Sequence, residues 1–157
     1  MYRKMQIVLM FLFVFSAAAW AQQDPFIGTW KTNVAKSKYD PGPPPRAGST
    51  IKREAAPGGA VRTTVDGVDV QGNPTHTEYT AKDDGKDYPV TGSTTIDARV
   101  VRRIDTNTRL LIGKKGGNVV EMFRQVVSPD GKTITSISVG VNAQGKAIHD
   151  VTIQEKQ

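Results

Sequence analysis

Cysteine is absent from the chain. That excludes disulfide staples, thiolate metal sites and cysteine nucleophiles together. Leucine is nearly absent as well: beyond residue 21 only Leu110 and Leu111 remain. No window in that span repeats apolar residues every three to four positions, so an amphipathic helical layer is excluded. Histidine occurs only as His76 and His149, too far apart for a metal-ligand spacing. Aromatics are few. Phe26, Trp30, Tyr39, Tyr79, Tyr88 and Phe123 are the six beyond residue 21, which leaves few large groups to fill an interior.

Catalytic signatures are missing too. No serine sits in a Gly-x-Ser-x-Gly elbow. Gly131-Lys132-Thr133 matches the end of a phosphate loop, but Val126 stands where the motif requires its first glycine. Asp83-Asp84-Gly85 and Ser128-Pro129-Asp130-Gly131 are turn sequences, too poor in acids for a calcium loop. An acid pair such as Glu78 and Asp97 would have to be assembled by the fold. The sequence thus offers no catalytic residue, no cofactor motif and no metal site, and we read the chain as a non-enzyme.

What is present falls into two parts. Arg3 and Lys4 precede nine apolar residues, Ile7 to Phe15, and Ala19-Trp20-Ala21 fits a small-x-small cleavage site. This pattern predicts an export signal over 1–21, a mature chain from Gln22, and a periplasmic or extracellular location. The apolar run is short for a membrane span, and the alternative is an uncleaved N-terminal anchor. The remaining 136 residues make one ordinary domain, with 19 basic against 15 acidic side chains. That excess falls short of a nucleic-acid signature.

The apolar choice beyond residue 21 is β-branched: 15 Val and 9 Ile, with 16 Thr beside them. Such residues suit a pleated surface and lose side-chain freedom in helices. The chain therefore reads as all β. Phe26-Ile27-Gly28-Thr29-Trp30-Lys31 opens the first strand, over 26–32. A proline-rich stretch over 33–48 follows and reads as irregular, with room for one helical turn over 33–38. From residue 49 strands alternate with turns at Pro57-Gly58-Gly59, Gln71-Gly72-Asn73-Pro74, Asp83-Asp84-Gly85, Asp105-Thr106-Asn107, Lys115-Gly116-Gly117-Asn118, Ser128-Pro129-Asp130-Gly131 and Asn142-Ala143-Gln144-Gly145. Eight to ten strands joined by short turns predict an antiparallel up-and-down meander. Closing it into a barrel removes its edges, with a two-sheet sandwich as the alternative.

Phe26-Ile27-Gly28-Thr29-Trp30-Lys31 resembles the opening strand of lipocalins and fatty-acid-binding proteins, the calycin superfamily. In those families a Gly-x-Trp closes one end of the barrel, which makes Gly28 and Trp30 the implied plug. The ending Val151-Thr152-Ile153-Gln154-Glu155-Lys156 is similar to the last strand of the fatty-acid-binding group. There an arginine and a tyrosine grip the ligand carboxylate; here Thr152 and Gln154 hold those positions. Lipocalins stack a late arginine on the tryptophan; the last two strands here lack one, and Arg124 is the nearest candidate. The layout of 22–157 is similar to that of lipocalin-like secreted bacterial proteins. The resemblance implies a carrier of a small apolar or amphipathic ligand, such as a fatty acid.

Two arginines are candidates for holding an anionic ligand. Arg102 alternates with Ile96, Ala98, Val100 and Ile104, and Arg124 with Val120, Met122 and Val126. If those faces line the lumen, both guanidinium groups point inward and need partners. A ligand carboxylate is one; an internal acid such as Glu121 or Asp97, or contact with Trp30, is the other. Met122 and Tyr79 complete the expected ligand-binding set. The opposite face of 119–127 carries Val119, Phe123 and Val127, so the lumenal side stays open. The basic hairpin 94–115, with Arg99, Arg102, Arg103, Arg109, Lys114 and Lys115, suggests a weak attraction to anionic surfaces, against an ordinary solvated face. The competing function is a structural or interaction module with a filled barrel.

Overall fold

The computed structural model describes residues 24–69, 71–141 and 145–157. The expected export signal over 1–21 lies outside the described residues. Ten strands follow in order: β1 (Gly28–Lys38), β2 (Thr50–Ala56), β3 (Ala60–Val68), β4 (Pro74–Ala81), β5 (Asp84–Thr91), β6 (Ala98–Arg103), β7 (Thr108–Lys115), β8 (Asn118–Val127), β9 (Thr133–Val141) and β10 (Ala147–Lys156). Each strand pairs antiparallel with its sequence neighbours, and β1 pairs with β10 to close the ring. The architecture is the up-and-down barrel expected from short turns between β-branched runs. No helix among the described residues is long and apolar enough to cross a membrane.

The turns obey their residue chemistry. In Ser128-Pro129-Asp130-Gly131 the Gly131 N–H donates to the Ser128 carbonyl at 2.9 Å, with Gly131 at φ +69°, open to glycine at no steric cost. Two local expectations are corrected. The chain over 33–38 is neither irregular nor a helical turn. It continues β1 through a bulge, which Asn33 and Ser37 stabilise: the Asn33 Oδ1 accepts from the Lys36 N–H, and the Ser37 hydroxyl donates to the Asn33 carbonyl. Asp84-Gly85 does not turn the chain either. It begins β5, which is longer than the sequence suggested.

One end of the barrel is packed solid. Trp30 and Phe26 are fully buried there with Ile51, Val127 and Ile134. The indole N–H donates to the Phe26 carbonyl at 3.0 Å, so the large apolar plate is buried without an orphan donor. Gly28 has φ +127°, and a Cβ there would meet the Lys156 side chain at 3.1 Å. Glycine at this position leaves room for the Lys156 stem. Lys156 Nζ stands 5.3 Å from the Trp30 ring centroid. This contact, from the last strand, takes the place considered for Arg124, which lies exposed on the outside.

An ionic cluster ties the entering chain to this end. Arg103 bonds to Asp24, to Asp83 and to the Thr106 carbonyl. Burial pushes the Asp24 carboxyl up, but its Arg103 bond, the Phe26 N–H and the charge of Arg109 outweigh that and hold it below its ordinary value.

Two predictions follow from this end. Trp30→Ala lowers unfolding stability by about 3–5 kcal/mol in urea titration, the range for deleting a large buried side chain. For Asp24, a lowered folded value means stability that is complete above the ordinary 3.8 and lost as pH falls through the folded value. The stability gap between the wild type and Asp24→Asn is therefore open at neutral pH and closes in acid, as followed by thermal melting.

Candidate functional site

Above the plug the lumen opens into a cavity of about 280 Å³. Its wall is unusually polar. Hydroxyls of Thr32, Thr63, Thr77, Ser136 and Thr152 share it with Arg53, Arg99, Glu121, Gln125 and Gln154. The apolar share comes from Ile51, Val65, Tyr79, Ile96, Leu111 and Phe123.

Strand alternation delivers the charged groups. On β2, Ile51 and Arg53 face in while Lys52 and Glu54 face water. Arg53 is only 3% exposed. Its Nη2 donates to the Gln125 Oε1 at 3.4 Å, and its Nε and Nη1 have no partner among the described residues. Arg109 on β7 donates to the same oxygen through Nε at 3.0 Å and Nη2 at 2.9 Å. Its guanidinium carbon lies 4.2 Å from the Phe26 ring centroid. One neutral carbonyl oxygen thus serves two buried cations. Burial, then the like charge of Arg109, push the Arg53 guanidinium down to about 9, against weaker support from Tyr79 and Asp24. Burial also pushes Arg109 down.

Arg99 on β6 is the third inward cation. Its Nη2 donates to Glu121 Oε1 at 2.7 Å. Its guanidinium carbon lies 5.6 Å from the Tyr79 ring centroid and 5.4 Å from that of Phe123. Its Nε and Nη1 are also without partners, as is the Oε1 of Gln154. Leaving such groups buried and unsatisfied costs free energy that a hydrogen-bonding ligand would restore.

Of the residues expected to bind ligand, Tyr79 is in the cavity wall. Arg102, Arg124 and Met122 are not: all three are exposed on the outside of the sheet. There Arg102 and Arg124 flank Leu110 in one cross-strand row, and Met122 lies between Ile112 and Val139 in the next. The reason is a face inversion. The outward side of β8 and β9 carries Met122, Ile137, Val139 and Val141, whereas the inward side beyond the plug residues Val127 and Ile134 sets Phe123 among Glu121, Gln125, Ser136 and Ser138. Hydrophobicity therefore marked the wrong face, and a one-residue choice moves every side chain across the sheet. Of the basic hairpin, Arg102 and Lys115 stay exposed. Arg99 and Arg109 are inside, while Arg103 and Lys114 are paired with Asp24, Asp83 and Asp87.

Thr152 and Gln154 of the last strand do line the cavity. The residues missed were Arg53, Arg99, Arg109 and Gln125. A signal existed: Arg53 stands two residues from Ile51, Arg99 two from Val101, and Arg109 two from Leu111. Arg102 and Arg124 have apolar neighbours at the same spacing, so the signal could not separate the two sets. His76 bonds through Nδ1 to Asp66 at 2.6 Å on the exposed surface of β3 and β4, and His149 is exposed on β10.

No protein-family model matches the chain, and no curated protein matches it. The geometry of the lumen therefore carries the functional reading.

Arg53 makes a sharp prediction. A buried charge without a counterion lowers folded-state stability, so Arg53→Met raises the stability of the ligand-free protein by about 1–3 kcal/mol. The folded value of about 9 lies below the ordinary 12.5, so the penalty is complete below pH 9 and shrinks as pH rises between those values. Urea titration at pH 7 and at pH 10 tests both. Loss of stability in Arg53→Met at pH 7 would mark Arg53 as a structural filler.

Proposed function

We propose that the chain is an exported, lipocalin-like binding protein that holds a small amphipathic anion in the barrel lumen. The observation that carries this reading is Arg53: a buried guanidinium facing a cavity, with Nε, Nη1 and most of its charge unanswered by the protein. An anionic group placed there would supply both the missing acceptors and the missing charge. The Gly28 and Trp30 plug agrees with this use, because a barrel sealed at one end by apolar packing can leave the rest of its interior open.

The cavity also shapes the ligand. At about 280 Å³ it lies near the lower limit of small-molecule sites. Its wall mixes hydroxyls with Tyr79, Leu111 and Phe123. A short or medium-chain carboxylate suits that wall better than a long acyl chain. The lumen's open volume favours binding over a filled structural module.

Native mass spectrometry of the protein recovered from its export compartment tests the reading. The expected result is a co-purified or added small carboxylate retained by the wild type and lost from Arg53→Gln. A protein that retains no member of a carboxylate panel, from acetate to decanoate, would refute it.

A further inference from the structure

We infer that the lumen is built for a ligand with two anionic ends, an α,ω-dicarboxylate with an apolar middle. This rests on the lumenal anion site just proposed and extends it to a second anchor. Arg53 and Arg99 both leave Nε and Nη1 without partners in one cavity. They come from nearly opposite walls: β2 and β6 are four steps apart one way round the ring and six the other.

The two guanidinium groups are tethered to different residues of one strand. Arg53 is bonded to Gln125 and Arg99 to Glu121, both on β8. Four residues of strand separate these partners, about 13 Å at ~3.3 Å per residue. Phe123 lies midway on the same inward face and, with Leu111, supplies the apolar wall between the two ends. A single carboxylate at Arg53 would leave the Arg99 donors unsatisfied.

Glu121 answers the charge of Arg99 but not its Nε and Nη1 donors, so the second anchor is a hydrogen-bonding one. The unpartnered Oε1 of Gln154 offers a further acceptor to a hydroxyl on the ligand.

Calorimetric titration with suberate, octanoate, sebacate and decanoate compares two-ended with one-ended ligands at equal chain length. We expect each diacid to bind at least tenfold more tightly than its monoacid. Arg53→Gln weakens both classes. Arg99→Gln combined with Glu121→Gln, which removes the pair without stranding a charge, abolishes the preference and brings diacids and monoacids to equal affinity. If that variant fails to fold, Arg99→Lys keeps the ion pair but removes donors, and the same loss of preference is expected. Equal affinity for both classes, or a preference that survives the Arg99 changes, overturns the second anchor while leaving the single-anion site standing. No binding of any of the four overturns the two-ended ligand, and extending the titration down to acetate without binding removes the single-anion site as well.

Discussion

The pairing of β1 with its two neighbours is the constraint on which the structure depends. Trp30 sits opposite Ile51 of β2 on one side and Lys156 of β10 on the other. The residue that corks the barrel is therefore also in the seam that closes it. A ten-strand meander left open would expose two edges to other chains, and closure leaves none. The contacts are mutually supporting. Gly28 admits the Lys156 stem, Lys156 lies over the indole, and the indole N–H ties back to Phe26. Without a disulfide anywhere, the joining of the first and last strands relies on this packing and on ladder hydrogen bonds.

Dividing the apolar packing between two clusters changes what the rest of the interior has to do. Five residues, Phe26, Trp30, Ile51, Val127 and Ile134, form the one at the plug, and the second surrounds Tyr79, Ala81, Val101 and Leu111. Between them lies the polar layer of Arg53, Arg109, Gln125 and Ser136. A core of this kind does not need a hydrophobic inner face on every strand. It needs alternation, so that side chains meet in layers, and it needs each apolar layer to exclude water around its own members. The outer face of β8 and β9 can then be the more apolar of the two.

That division explains which features were legible in the sequence. Strand number, antiparallel order and the position of the plug follow from backbone chemistry: β-branched runs, Pro-Gly turns, and one tryptophan after a glycine. These do not depend on which face is inward. The lumenal residues do. On β6, Val100 and Val101 are both buried, so neither face of that strand declares itself. On β8 the apolar alternate set, Val120, Met122 and Val126, marks the outside. Placing Arg102 and Arg124 in the lumen is a one-residue face error on β6 and on β8; the inward arginines are Arg99 of β6 and Arg109 of β7. Tyr79 escaped it because β4 carries Tyr79 and Ala81 inward against the exposed His76 and Thr80. The bulge after Asn33 was hidden for another reason: its signal is a pair of side-chain hydrogen bonds, which no local hydropathy pattern records.

The buried arginines remain the feature that packing alone does not account for. A structural role would be served better by neutral side chains of similar volume, since desolvating a guanidinium costs more than its bond to a shared amide oxygen returns. Arg103 shows how this chain treats a cation meant for structure: half-buried, it has two carboxylates and a carbonyl around it. Arg109 is an intermediate case, stacked on Phe26 and doubly bonded to Gln125. Arg53 has neither an acid nor a ring, and it faces open volume. Arg99, also in the cavity wall, keeps Glu121 and two rings, so among the inward arginines Arg53 is the one with neither a carboxylate nor a ring. In such an arrangement the plug end stabilises the fold and the polar layer holds its donors in place. On the proposed reading, an anion entering the lumen would require little reorganisation of the wall.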